Sequence, residues 1–493
     1  MKRRFSCCLI LVLAVAGISR TSRADWVGDI EHTLADKELS RAQVGVEIVR
    51  LGSGPEDTPV LYQHDSAEPL IPASNLKAIT TSAALEKLGA NFKFRTLLLL
   101  HGSDLVLIGD GDPTLGDAEI LKKVGWDANT VFKMWADGLI KKNVHGVHNL
   151  LIDDSVFDQQ FTNPDWPANQ LQLRYSAAVA GLNLNANCLD IYIEPNGYGQ
   201  RVRYQTDPPT TYYSIENDCL SGGHNSVWYS RDPQSNQLIL RGSASEANDV
   251  PVSITVQDPS MFTGTVLADT LRAEGLRISG QVRRDLSQRS AYLNRAANDD
   301  SWALLAIHET PLPNVIARAN KDSMNLYAEC ICKRLGFADS GVGSWQSGTH
   351  AVGDFLRSIG VPPSQFTLDD GCGLSKVNRI SAHLMVTVLK HDFYGPNSAI
   401  WLKSLAIAGE DGTLADRFRG SDLRGRVIAK TGFVNGVSCL SGFLHAKDDN
   451  WYCFSIMFNG IPEHSNSGAK ALQERIVKAL DEHATALAQA RAN

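Results

Sequence analysis

Ile71-Pro72-Ala73-Ser74-Asn75-Leu76-Lys77-Ala78 begins a segment rich in alanine and leucine that runs to Leu88 and meets Gly89. The pattern predicts a helix over Ile71 to Leu88 with a glycine stop. Ser74 and Lys77 stand three residues apart, so a helix sets both side chains on one face, within reach of each other. The helix N-terminus stabilises negative charge developing on the serine oxygen. A serine hydroxyl is too weakly acidic to attack alone, and a desolvated, neutral lysine beside it takes the proton. The pair is therefore a candidate nucleophile and base. Alone it is weak: S-x-x-K arises about once or twice by chance in a chain this long. It recurs at Ser467-Gly468-Ala469-Lys470. A serine-capped helix start with an exposed lysine is the bland alternative for either copy.

Upstream, Val44, Val46 and Ile48 alternate from Gln43 to Arg50, and a turn-rich stretch from Gly52 to Pro59 leads to a second short strand around Val60 to Tyr62. This predicts a hairpin entering a sheet. Downstream, from about Phe92 to Arg284, short strands and many Asn, Asp, Gly and Pro turns take over, with helical patterns only near Val131 to Lys142 and Val266 to Gly275. Helical texture resumes at Ser301 to Leu335 and Ser347 to Ile359. The chain closes with expected strands at Arg426 to Thr431, Ser438 to His445 and Trp451 to Asn459, and a helix from Gly468 onward. The two ends are thus expected to form one α/β domain, residues 25–92 and 290–493, interrupted by mainly β material. Within the interruption, residues 93–187 and 250–289 form one insertion, and the most turn-rich part, 188–249, a second one nested inside it. Leu472, Ile476, Ala479 and Leu487 recur at helical spacing, and core packing explains them better than a membrane-surface anchor, because the opposite face is mixed in charge.

The first residues read as a secretory signal: Lys2, Arg3 and Arg4, an apolar run from Cys7 to Ile18, then Ser22 and Ala24 as the cleavage site. The run is too short to span a bilayer, which needs about 20 residues, so residues 1–24 are expected to leave and the mature chain to be periplasmic or otherwise exported, without a transmembrane segment. Removing five basic residues leaves 42 basic against 54 acidic groups, a net charge near minus twelve. A nucleic-acid binder needs basic surface to displace phosphate counterions, so that class is excluded. Seven cysteines remain after residue 24, an odd number. Cys188 with Cys219 is the expected disulfide, since both fall in one loop-rich region of an exported chain. Cys330 and Cys332 fall on different faces of a helical pattern with no matching Cys/His pair, so no zinc site is expected.

Two further short motifs follow in order. Ser323-Met324-Asn325 precedes a helical pattern and sets a hydroxyl and an amide two residues apart, suited to proton relay and to a substrate amide. Lys430-Thr431-Gly432 ends a strand rich in Val and Ile; a lysine and a hydroxyl at a strand edge bind a carboxylate, and glycine lets substrate lie along the strand. The three motifs in this order resemble those of the serine penicillin-recognising enzymes, S-x-x-K, S-x-N and K-T-G. The copy at Ser467 fails because it follows the K-T-G strand.

The resemblance is closest to the low-molecular-mass class C penicillin-binding proteins, the D-alanyl-D-alanine carboxypeptidase and endopeptidase branch, and it covers nearly the whole mature chain. It is carried by the 249-residue gap between Ser74 and Ser323, which in that family holds two inserted domains, and by phrases. These are Leu85-Glu86-Lys87-Leu88-Gly89, Gly109-Asp110-Gly111-Asp112-Pro113-Thr114-Leu115, Asn320-Lys321-Asp322-Ser323-Met324-Asn325-Leu326-Tyr327-Ala328-Glu329 and Asp370-Gly371-Cys372-Gly373-Leu374-Ser375. The resemblance implies an α-β-α sandwich of the serine β-lactamase/transpeptidase type with two inserted, mainly β domains. It implies no cofactor and no metal, peptidoglycan stem peptides as substrates, and β-lactam antibiotics as covalent inhibitors. It implies Ser74 as nucleophile, Lys77 as base, Ser323 and Lys430 in proton transfer to the leaving amine, and Asn325 holding the donor peptide. Thr431 with Lys430 would bind the terminal carboxylate, and Gly432 and Phe433 would line the strand, the N–H of Phe433 joining that of Ser74 in the oxyanion hole. Phe433 departs from the family's usual Thr, and Cys372 from its usual Ser.

A β-lactamase shares the three motifs, but the inserted region has no recognisable loop carrying a deacylating Glu. No G-x-S-x-G elbow is present, against a lipase-like hydrolase. His308-Glu309 lacks the second histidine of a zincin, position 312 being Leu. The reading from another class is a peptidoglycan-binding scaffold that has lost activity, which Phe433 and Cys372 favour and the intact motifs oppose.

Overall fold

Val44, Val46 and Ile48 fall on Gln43–Leu51, which in the computed structural model is a nine-residue strand. The structure describes residues 26–231, 235–462 and 464–492, and the expected signal peptide, residues 1–24, lies outside them. The strand belongs to a six-stranded antiparallel sheet ordered Val60–His64, Gln43–Leu51, Trp451–Asn459, Val437–His445, Val427–Val434, Ala406–Ile407. Two strands from the start of the chain therefore pair with four from its end, Gln43 opposite Asn459 and Leu51 opposite Trp451.

Helices cover both faces of this sheet, which is why Glu47 and Val49 are buried along with Val46 and Ile48. On one face Val46 and Ile48 pack with Trp26 and Ile30 of the helix Trp26–Leu34 and with Leu472 and Ile476 of the helix Asn466–Ala492. On the other, Val49 and Leu51 join Ala78 and Met385. The result is the expected α-β-α sandwich, and each fully buried Ile or Leu in it contributes about 1.5–3 kcal/mol. No helix among the described residues is long and apolar enough to cross a membrane.

A 3-10 turn, Ala73–Asn75, leads into the helix Leu76–Lys87. Every residue from Leu76 to Leu85 is buried, because the helices Leu312–Lys321, Asn325–Ser340, Trp345–Ser358 and Ala382–Tyr394 enclose it. Its small side chains, Ala78, Ala83 and Ala84, permit that enclosure. Gly89 supplies the left-handed stop at φ 81°.

Several expectations are corrected. Trp302–Pro311, read as the start of a helical stretch, is a strand laid antiparallel along Lys93–His101. Its Ala and Leu residues fit either period over so short a run, and the apolar partner Leu97–Leu100 decides for the sheet. Helices begin only after Pro311, with Pro313 in the first turn. The helix expected from Val266 starts earlier, at Pro259, where Asp258 accepts the Met261 N–H at 3.0 Å. Cys188 and Cys219 form no disulfide: both are buried free thiols packed in one apolar core, Cys188 at the head of the strand Cys188–Glu194 and Cys219 in the link between two other short strands. Nearness in a loop-rich sequence does not align two Cβ atoms for a bond. Burial pushes the Cys188 thiol up to about 12.

Trp302–Pro311 completes a five-stranded sheet with Lys93–His101, Asp104–Ile108, Leu150–Asp153 and Val282–Arg284. On this pairing we propose that the insertion ends after Pro311 rather than at 290. Leu312–Lys321 then carries the chain back under the sandwich.

Candidate active site

Ser74 is positioned by what its neighbours touch. Asn75, fully buried, donates from Nδ2 to Ser441 Oγ at 2.7 Å, pinning the Ala73–Asn75 turn to the strand Val437–His445. Two glycines allow the approach. A Cβ on Gly432 would lie 2.6 Å from the Pro72 carbonyl oxygen, and one on Gly373 would lie 1.9 Å from that of Ala73. Ser74 is thereby wedged between the strand Val427–Val434 and the loop 370–375. Ala73 and Ser323 both hold left-handed backbone, φ 46° and 56°, which costs a non-glycine residue energy and persists where surroundings over-determine it.

Lys77, fully buried, has Nζ 2.8 Å from Ser74 Oγ and donates to the Cys372 carbonyl at 2.9 Å. Burial holds its ammonium below the usual lysine range, against the opposing pull of Cys372, Asp370 and Glu329. In the neutral form the Ser74 hydroxyl donates to Nζ, which is the geometry of proton removal.

The loop bearing the Cys372 carbonyl is clamped by two buried carboxylates. Glu329 accepts from Cys372 N at 2.7 Å, from Gly371 N at 3.0 Å and from Trp345 Nε1 at 2.6 Å. Asp370 accepts from Gly373 N and Ser375 N, both at 2.7 Å, and from Trp166 Nε1 at 3.0 Å. Thr80, one turn beyond Lys77, donates to the Gly371 carbonyl at 2.7 Å. Burial, and then the charge of Asp370, raise Glu329 above the ordinary carboxylate range. Glu329, Asp370 and Cys372 cluster closely enough to suggest a metal, but the amide and indole donors already occupy both carboxylates. Cys372 serves here through its backbone carbonyl and N–H, so the departure from serine leaves these contacts intact, and burial keeps its thiol protonated.

Ser323 lies between the helices Leu312–Lys321 and Asn325–Ser340, and its Oγ accepts from Lys430 Nζ at 3.0 Å. Lys430 lies where Val427–Val434 runs on past its short partner Ala406–Ile407, at the expected strand edge; it is fully buried and also donates to the Thr431 carbonyl at 2.9 Å. Burial, then the charge of Lys77, push it well below the usual lysine range. Asn325 donates from Nδ2 to the Tyr175 carbonyl at 2.7 Å. Thr431 donates to Thr413 Oγ1 at 2.9 Å, and Phe433 is 49% exposed.

Two cavities meet at Ser74, Ser323 and Phe433. One, of about 290 Å³, adds Thr413, Arg417, Thr431 and Lys470. The other, of about 610 Å³, adds Tyr175, Asn325, Leu374 and Asn435. All three sequence motifs thus converge on one cleft. The second S-x-x-K does not supply a rival nucleophile, since Ser467 is exposed at the start of the Asn466–Ala492 helix. Sequence reasoning missed the Glu329 and Asp370 clamp, although both stand within the family-like phrases. It missed Thr413 and Arg417, which carry no local signal, and met Lys470 only as part of the second S-x-x-K.

A family model described as the D-Ala-D-Ala carboxypeptidase 3 (S13) family matches residues 26–483. The chain is similar to the D-alanyl-D-alanine carboxypeptidase of Actinomadura sp. (strain R39), 30% identical over 96% of this chain and 87% of that protein. It is also similar to D-alanyl-D-alanine carboxypeptidase DacB of Haemophilus influenzae, 24% identical over 81% of this chain and 83% of that one. Its fold matches the crystal structure of penicillin binding protein 4 (dacB) from Haemophilus influenzae with a TM-score of 0.73 at 22% identity, covering 93% of this chain and 99% of that one. Sequence, fold and motif order agree: the chain belongs to the D-Ala-D-Ala carboxypeptidase 3 (S13) family, the serine-type D-Ala-D-Ala carboxypeptidases.

Proposed function

We propose that this enzyme hydrolyses peptidoglycan stem peptides ending in, or cross-linked through, D-alanine, by way of an acyl-enzyme on Ser74 that penicillin also forms. The observation that carries this reading is the 2.8 Å contact between Ser74 Oγ and the Nζ of a fully buried Lys77. A lysine held out of water favours its neutral form and takes the serine proton.

Ser74 Oγ attacks the carbonyl carbon of the penultimate D-alanine as its proton passes to Lys77. Negative charge gathers on the carbonyl oxygen, to which the backbone N–H groups of Ser74 and Phe433 donate. The C–N bond breaks, and the proton held by Lys77 reaches the leaving nitrogen through Ser323, whose Oγ already accepts from Lys430. Water then adds to the ester carbonyl and gives its proton to Lys77, which passes it to Ser74 Oγ as the bond to that oxygen breaks and the shortened peptide leaves. The larger cavity takes the acyl-donor peptide. There Asn325 Oδ1 accepts a substrate N–H while Nδ2 stays on Tyr175. The smaller cavity, with Thr431, takes the leaving amine. Residues 1–24 support export, so the enzyme works on the wall from the periplasmic side.

The test is labelling with a fluorescent penicillin, followed by digestion of purified peptidoglycan with mass analysis of the fragments. The reading predicts a labelled protein, loss of terminal D-alanine and cleavage of cross-linked dimers. An unlabelled protein that leaves both substrates intact overturns it.

A further inference from the structure

The reaction proposed above releases an amine that carries its own carboxylate, and the residues expected to receive that charge are otherwise engaged. Lys430 is buried and bonded to Ser323 and to the Thr431 carbonyl. The Thr431 hydroxyl donates to Thr413. Position 433, one residue past the motif, is a phenylalanine and offers no hydroxyl.

Two other cations line the smaller cavity, and both have donors to spare. The Arg417 side chain is only 7% exposed. Its Nε donates to Glu474 at 2.8 Å, and its Nη2 to the Lys470 carbonyl at 3.0 Å and to Gln473 at 3.2 Å. Nη1 makes no hydrogen bond to any described residue, although the side chain lines the cavity beside Ser74. Lys470, half-buried, also lines that cavity, and its ammonium has no hydrogen bond or ion pair among the described residues. A guanidinium held by its Nε and Nη2 is already oriented, so binding an anion at Nη1 costs it little rotamer freedom. The lysine of the second S-x-x-K thus has a use that its serine does not.

We propose that Arg417 and Lys470 form the seat for the carboxylate of the leaving group, so that this pair selects leaving amines bearing a free carboxylate, whether a terminal D-alanine or the D-centre of a cross-linking residue. The inference rests on the acyl-enzyme reading and assigns the leaving-group side of the same cleft. Thr413 completes the wall: its hydroxyl accepts from Thr431 and keeps its own proton to donate to the anion.

The experiment compares kcat/KM for one stem peptide ending in D-Ala-D-Ala as the free acid and as the C-terminal amide. It uses wild type, Lys470→Gln and Arg417→Gln, each checked for folding by thermal melting and for active serine by penicillin labelling. Lys470 is partly exposed, so its charge is screened, and Lys470→Gln should lower the free-acid to amide ratio about three- to tenfold, chiefly through KM. Arg417→Gln should lower the ratio further. Because Arg417 also ties the terminal helix to the loop before the K-T-G strand, the test stands on Lys470→Gln where the arginine variant fails to fold. Raising the salt concentration should lower the ratio in wild type and less so in Lys470→Gln. An unchanged ratio in Lys470→Gln, or equal loss on both peptides with labelling retained, overturns the carboxylate seat alone. A wild-type protein that takes no penicillin and cleaves neither peptide overturns the acyl-enzyme reading and the seat together.

Discussion

Glu329 Oε1 accepts the backbone N–H of Cys372 at 2.7 Å, and the carbonyl of that same Cys372 accepts Lys77 Nζ at 2.9 Å. One peptide unit away from the base, a buried acid therefore fixes the acceptor that aims Lys77 at Ser74. This makes Glu329 a positioning residue: it touches no reacting atom and acts through the loop.

Ser74→Ala removes the oxygen that becomes acylated and leaves the helix intact, since Asn75 and not Ser74 makes the anchoring bond to Ser441. The expected outcome is a folded protein with no penicillin adduct by intact mass, where wild type gains one. An adduct that persists in Ser74→Ala, or that maps to Ser467, would contradict the assignment.

Lys77→Arg keeps the charge but cannot deprotonate in a protein, so acylation should fall by about two powers of ten or more. Because burial holds Lys77 below its ordinary value of 10.5, the wild-type acylation rate should rise with pH and level off below that value. A plateau at the ordinary lysine value, or an arginine variant as fast as wild type, would leave Lys77 an electrostatic residue only.

Glu329 titrates above its ordinary value of 4.5 in the folded protein. As pH climbs from that ordinary value toward the raised one, the folded chain keeps a proton that the unfolded chain has lost, so stability falls across this window. Urea midpoints measured against pH should decline there in wild type and decline less in Glu329→Gln. The variant should start about 1–3 kcal/mol less stable, because one amide oxygen cannot serve the three donors that the carboxylate satisfies. Parallel pH curves for the two proteins would refute the raised value.

Lys430→Ala removes the donor to Ser323, so turnover of free-acid and amidated peptides should fall alike, by about a hundredfold or more. Phe433→Thr should raise the free-acid to amide ratio by returning a hydroxyl to the strand beside Thr431. The kcat/KM ratios of both variants decide the point: a selective loss on the free acid in Lys430→Ala would return the carboxylate role to Lys430.

The parts of this site legible in the sequence are those whose geometry is local. Ser74 and Lys77 meet because a helix sets residues three apart on one face, and Asn325 follows Ser323 at the mouth of the next cleft-lining helix. The alternation of Val44, Val46 and Ile48 and the apolar strands at the chain's end placed the sheet for the same reason, since side chains alternate between its faces residue by residue, although helices on both faces bury Glu47 and Val49 as well. Other features depend on which distant segments meet. Trp302–Pro311 became a strand because Lys93–His101 offered it an edge, although its composition suits a helix. Cys188 and Cys219 share one apolar core as free thiols, one heading a strand and the other in a link between two strands. Lys430 is bonded to Ser323, more than a hundred residues earlier in the chain, because the two motifs pack together. The Glu329 and Asp370 clamp and the pair Arg417 and Lys470 exist only once helices, loop and strand are packed. A hydrogen bond or a shared anion site between remote residues is set by tertiary contacts that no local spacing encodes.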